Sequence, residues 1–255
     1  MVATQVSVDF ELAIHNACKT VLGDDIIING CLTHLFSNVL KRVQTSGYAT
    51  MYTDKDDPSF RDFVAKIDAL AFLPPEDLHE AVQILHEESP CEAATEILQY
   101  FDETYISGTF RELRRRQQQQ ANPDEVIMRF RRQPAKFPPE KWSAYQRTLD
   151  GVDRTNNASE GWNRGYAELV GVKRPTVWRS IETLQLAEVK VHAVLVQHLA
   201  GRRIQPTHPK KPEYVKLNDR LTRLCAAYGE TDITTFLRRV SRNLRHSRRC
   251  KCDRL

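Results

Sequence analysis

The apolar positions of the first 45 residues switch between strand-like and helical spacing. Residues 5–8 are short and β-leaning. Ile14, Ala17, Cys18 and Val21 then recur at helical spacing, and Gly23 supplies a stop. Ile26, Ile27 and Ile28 form a β-branched run suited to a buried strand. Leu32, Leu35, Phe36, Val39, Leu40 and Val43 then make a helical stripe that ends near Gly47. Strand, helix, strand, helix in this order predicts a parallel pairing.

Beyond residue 55 the helical period dominates. Phe60, Phe63, Val64 and Ile67 follow Pro58 at helical spacing, and Pro74-Pro75 breaks that helix and opens the next. A further helix after Pro90 carries Ile97, Leu98 and Phe101. Residues 111–132 lack an apolar period and contain Arg114-Arg115-Arg116 and four glutamines at 117–120. They read as a solvated helix or a loose insert. Residues 156–170 and a longer run after Pro175 (Val177, Ile181, Leu184, Val191, Leu195) read as two more helices. A polar linker at 202–212 leads to a final pair, lined by Leu217, Leu221 and Leu224, then by Phe236, Leu237 and Val240.

No apolar run reaches membrane-spanning length. The six cysteines are spread through helical segments, mostly at core-like positions, and read as reduced thiols of an intracellular protein. Charge is uneven: the formal net charge is +4, yet positions 238–255 carry eight Lys/Arg against Asp253 alone, leaving −3 for the rest. Arg238, Arg239, Arg242, Arg245, Arg248, Arg249 and Lys251 thus make a nucleic-acid patch or a nuclear import signal, or else a solvated, frayed helix end.

Two acids stand at element ends. Asp9 follows the first strand, where α/β sheets place their sites. Glu160 lies near the start of an amphipathic helix after Arg154-Thr155-Asn156-Asn157. Paired divalent ions that cleave phosphodiesters need carboxylates that hold them about 4 Å apart. The residues alone leave the plainer roles open: Asp9 as a helix cap and Glu160 as a complement to the helix dipole.

Six groups of residues occur in an order and spacing that resemble the carboxyl-terminal part of Mutator-like element (MULE) transposases. They are Val8-Asp9-Phe10-Glu11; Gly30-Cys31-Leu32-Thr33-His34; Leu70-Ala71-Phe72-Leu73-Pro74; residues 100–106; Phe137-Pro138-Pro139 with Trp142; and Arg154 to Asn157 with Glu160-Gly161-Trp162. The resemblance covers roughly residues 6–202. It implies a ribonuclease H-like catalytic domain interrupted by a helical insertion, with an Asp, Asp, Glu triad that cuts and transfers DNA strands using Mg²⁺ or Mn²⁺. Asp9 would be the second aspartate and Glu160 the glutamate. Cys31 and His34 match the family's Cys-x-x-His pair. They are either accessory to the site or an ordinary buried thiol beside a hydrogen-bonded histidine. Arg154, Asn156 and Asn157 would contact phosphate or position Glu160, with a plain cap as the alternative for Asn156.

The resemblance places the first aspartate and the central strands before Asp9, which only eight residues precede here. The expectation is therefore a truncated or domesticated segment without efficient catalysis. Its fold should be mainly α with a small residual α/β part, an incomplete ribonuclease H-like fold. The expected segments are 1–47 (β-α-β-α), 48–153 (helical insertion), 154–202 (returning helices) and 203–255 (carboxyl-terminal helices with the basic end). DNA is the expected partner, the nucleus the expected location, and exposed sheet edges a route to self-association. The rival expectations are a non-enzymatic DNA-binding protein using the basic end and a plain helical scaffold.

Overall fold

The computed structural model describes residues 4–112, 130–202 and 212–252, and for 112, 130, 158 and 245–252 the backbone alone. The fold is mainly helical with little strand. It begins with β1 (Gln5–Val8), α1 (Leu12–Leu22), β2 (Ile27–Gly30) and α2 (Leu32–Thr45). β1 and β2 pair in parallel, with Gln5 opposite Ile27 and Val8 opposite Gly30. Parallel strands need a crossover, and α1 provides it.

Four helices follow: α3 (Ala49–Thr53), α4 (Ser59–Ala69), α5 (Leu78–Glu87) and α6 (Glu92–Phe101). A π-helical turn, Asp102–Ile106, continues α6. Next come β3 (Thr109–Glu112), β4 (Phe130–Gln133), α7 (Tyr145–Leu149), α8 (Asn157–Val170) and α9 (Val177–Leu199). α10 (Pro212–Ala226) and α11 (Ile233–Cys252) complete the order. Among the described residues no helix is long and apolar enough to cross a membrane.

The chain divides into two compact units, Met1–Arg154 with Leu217–Leu255, and Thr155–Lys216. In the larger unit one core takes Leu35, Val39 and Val43 from α2, Phe63, Val64 and Ile67 from α4, and Leu85, Ile97 and Phe101 from α5 and α6. Phe236, Leu237 and Val240 of α11 join it. Segments 1–47 and 48–153 thus share one interior with the final helices. Each stripe recurs every three to four residues, so each helix buries one face. Trp142 is fully buried, and its Nε1–H donates to the carbonyls of Tyr105 and Phe137 at 3.0 Å each.

Two local readings change. The ends of the 111–132 stretch are strands rather than helix or loose insert: β3 and β4 form an antiparallel ladder with Arg111 opposite Arg131. Charged side chains hide the alternation there, because a two-stranded ribbon open to water needs no apolar face. The Arg114-Arg115-Arg116 and 117–120 runs lie outside the described residues. In α1 the stripe of Ile14, Ala17 and Val21 points outward, with Val21 78% exposed. The buried residue of α1 is instead His15.

The smaller unit is a helical hairpin. Gly171, at φ +73°, ends α8 in the left-handed conformation. The Thr176 hydroxyl caps α9 by accepting from the Arg179 N–H at 3.2 Å. Trp162 stacks on Tyr166 with ring centroids 5.3 Å apart, and the Tyr166 hydroxyl donates to the Ser180 carbonyl at 3.2 Å.

Candidate functional site

The in-register pairing of β1 with β2 sets the geometry around Asp9. Cys31, just past β2, donates its N–H to the Val8 carbonyl at 2.8 Å. The end of β1 therefore lies beside the start of α2. Asp9 is the next residue, and its Oδ1 stands 3.0 Å from Nδ1 of His34 in the first turn of α2. The side chains of His34 and Asp9 are 34% and 44% exposed, so the pair is open to a ligand from solvent.

The backbone of Asp9 is held separately. His15 lies 2.9 Å from the Asp9 carbonyl through Nε2. A carbonyl can only accept, so Nε2 carries the proton and Nδ1 is left as an acceptor. That Nδ1 is buried and makes no hydrogen bond among the described residues. Burial pushes the His15 pKa down, and the Lys141 charge adds to this, against the opposing pull of the Asp9 carbonyl. His15 thus sits as a neutral imidazole at neutral pH.

Phe10 fixes the far side. Its ring meets Tyr105 and Phe137 edge-on at 5.6 and 5.1 Å between centroids. Gly30 makes room for it: a Cβ at Gly30 would stand 2.6 Å from the Phe10 ring. Spacing alone gives no sign of His15, because a lone histidine on a short helix looks like any surface residue. Phe10 falls within one of the six sequence groups, but its packing role depends on contacts with residues about a hundred positions away.

Cys31 and His34 have different surroundings. Cys31 is the extended residue preceding α2, and it is fully buried. His34 is the one that reaches Asp9. Glu160 lies in the first turn of α8, exposed, in the smaller unit. Its N–H donates to the Asn156 carbonyl at 3.1 Å. Asn156 occupies the cap position, though its side chain does not bond the helix N-terminus. Asn157 is the first helical residue and is exposed.

Arg154 closes the larger unit. Its guanidinium donates to the Thr148 hydroxyl at 2.9 Å and to Asn218 Oδ1 at 2.5 Å, and it lies 5.4 Å over the Phe72 ring. Its carbonyl accepts from the Leu32 N–H at 2.9 Å, which ties the start of α2 to the segment entering α8. Burial draws the Arg154 pKa down. Burial, with repulsion from Arg154, takes Arg147 down to about 10.

Among the described residues, no three His, Cys, Asp or Glu side chains gather closely enough to hold a metal ion. Asp9 with His34 offers one carboxylate beside one imidazole, and Mg²⁺ held by one or two carboxylates takes its remaining oxygens from water and phosphate. On α11, Arg238, Arg239 and Arg242 are exposed. The side chains of Arg245, Arg248, Arg249 and Lys251 lie outside the described residues. Comparison with protein-family models, with curated proteins and with solved structures returns no match for the chain.

Proposed function

We propose that this chain is a segment of the MULE transposase type that engages DNA in the nucleus, with residues 5–45 the remnant of a ribonuclease H-like sheet. One observation carries the reading: Asp9 sits at the carboxyl end of a parallel strand, within 3.0 Å of His34. Sites of α/β sheets lie at that strand end. The six ordered sequence groups support the same family. The chain alone does not cleave DNA efficiently in this reading. By the same resemblance Glu160 is the family's glutamate.

The test is a plasmid assay with the purified chain, supercoiled DNA and Mg²⁺ or Mn²⁺. We expect salt-dependent binding of DNA without nicking. Nicking that disappears in Asp9→Ala would overturn the inactivity. Absence of any DNA affinity at low salt would overturn the whole reading.

A second reading is a non-enzymatic DNA-binding protein, and the exposure of Arg238, Arg239 and Arg242 on α11 favours it. Deleting everything from 238 is a poor test, since Val240 and Leu244 belong to the core. Reversing the three arginines to glutamate keeps the core. Here that variant loses DNA, and the slope of log affinity against log salt falls by about 0.9 for each lost phosphate contact. Asp9→Asn then leaves binding unchanged with or without Mn²⁺. In the first reading it changes the binding measured with Mn²⁺.

A further inference from the structure

α9 is 23 residues long, or about 35 Å at 1.5 Å per residue. Along its length only Thr183 and Ala187 are buried. Val177, Ile181, Leu184, Val191 and Leu195 are 41% to 74% exposed. With Glu188 filling the gap, these positions advance by four and three residues alternately, the 3.5-residue period that keeps a seam facing a partner helix. Trp162 of α8 stands beside this seam, and together with Ile181, Leu184, Ala187 and Val191 it lines an apolar groove along the hairpin. Contiguous apolar surface of this extent marks an interaction site.

We propose that a second copy of this chain occupies the groove, through the same hairpin laid antiparallel, so that two hairpins close a four-helix bundle. The inference does not rest on the transposase reading. The seam is self-complementary when reversed. With the two copies antiparallel, Val177 faces Leu195 of the other copy, Ile181 faces Val191, and Leu184 faces Glu188, each twice by symmetry. A parallel arrangement would instead set two Glu188 carboxylates against each other in the seam. Like charges so placed are repelled, and one polar seam position is enough to choose an orientation.

The area agrees. A strip about 10 Å wide along α9, with a shorter one along α8, gives roughly 1,100 Å² over both copies. That just clears the roughly 1,000 Å² expected of a specific interface and belongs with reversible dimers rather than permanent ones.

Sedimentation equilibrium of the full chain from about 1 to 100 µM tests this, the range in which an interface of that size associates. We expect a monomer–dimer equilibrium. Leu184→Glu should weaken it at least tenfold, and Glu188→Leu should tighten it at least tenfold. Both positions lie on the seam, so far-UV circular dichroism should show unchanged helix content. A monomer at every concentration overturns the proposal, whether the seam is bare or covered by another part of the chain. A dimer indifferent to Leu184→Glu also overturns it, and weakening by Glu188→Leu refutes the antiparallel register.

Discussion

Arg154 donates a hydrogen bond to Asn218 Oδ1 at 2.5 Å, and these residues flank the smaller unit in sequence. The chain leaves the larger unit at Arg154 and re-enters it at Leu217. Exit and return are therefore fastened together inside the larger unit. Asn218→Ala takes one acceptor from a largely desolvated guanidinium. The expected cost is about 2 kcal/mol, a fall in Tm of roughly 4–8 °C for a unit of this size, read by calorimetry. Arg154→Lys should not be neutral either, because an ammonium cannot span Thr148 and Asn218 while stacking on Phe72.

Gly108 and Gly151 make a matched pair. Both have positive φ, +78° and +67°. A Cβ at Gly108 would stand 2.1 Å from the Gln133 carbonyl oxygen, whereas one at Gly151 meets nothing within 4 Å. Gly151→Ala should cost only the backbone term of about 1–2 kcal/mol. Gly108→Ala should cost clearly more and loosen the β3–β4 ladder. Urea midpoints of the two variants, with amide exchange at residues 109–112, give the comparison.

Glu96 gathers three donors: the Tyr48 hydroxyl at 2.5 Å, Ser46 at 3.0 Å and Arg42 at 3.1 Å. The Tyr48 bond, with Ser46 next, holds the Glu96 carboxyl below its ordinary range. The Tyr48 hydroxyl is correspondingly pushed up, chiefly by the same bond. A carboxyl depressed in the fold contributes stability that is present above its unfolded value, about 4.3, and lost as pH falls through the folded one. Tm should therefore drop on acidification below about pH 5 more steeply in the parent than in Glu96→Gln, which has no charge to lose there. Parallel melting curves for the two proteins would contradict this.

His15→Leu removes the donor to the Asp9 carbonyl and replaces an imidazole with a side chain that packs. The expected loss is about 1–3 kcal/mol, the cost of a buried acceptor left bare, with His15→Gln recovering part of it. Guanidinium chloride midpoints measure the stability. The His34 ring resonances, shifted in His15→Leu and near parent values in His15→Gln, report whether Asp9 has moved.

Much of the helical frame is legible in the sequence because one-sided burial leaves a period. α2 and α4 are stripes in the sequence and core helices in the fold. α8 begins within one residue of its expected start, since Asn156 and Gly171 mark its two ends. β3 and β4 left no such trace, as Phe110, Arg111, Arg131 and Arg132 are all exposed and give no buried face to alternate. The stripes of α1 and α9 have the right period, but a period says that a face is apolar and not that something covers it. The approach of Asp9 to His34 is invisible along the chain. It comes from Val8 pairing with Gly30, and register is a property of two strands together.

Tyr105 carries a consequence for measurement. It stands in the turn after α6, packed against Phe10, Phe101, Phe137 and Trp142 at 5.0 to 6.4 Å between centroids. Phe10 is bonded to Asp9, and Trp142 is sealed in the interior. Motion of the acid thus has a path to an indole through two rings, those of Phe10 and Tyr105. Substituting phenylalanine at Trp162 and Trp178 would leave Trp142 as the sole emitter, and its emission would then register events at Asp9 with no label attached.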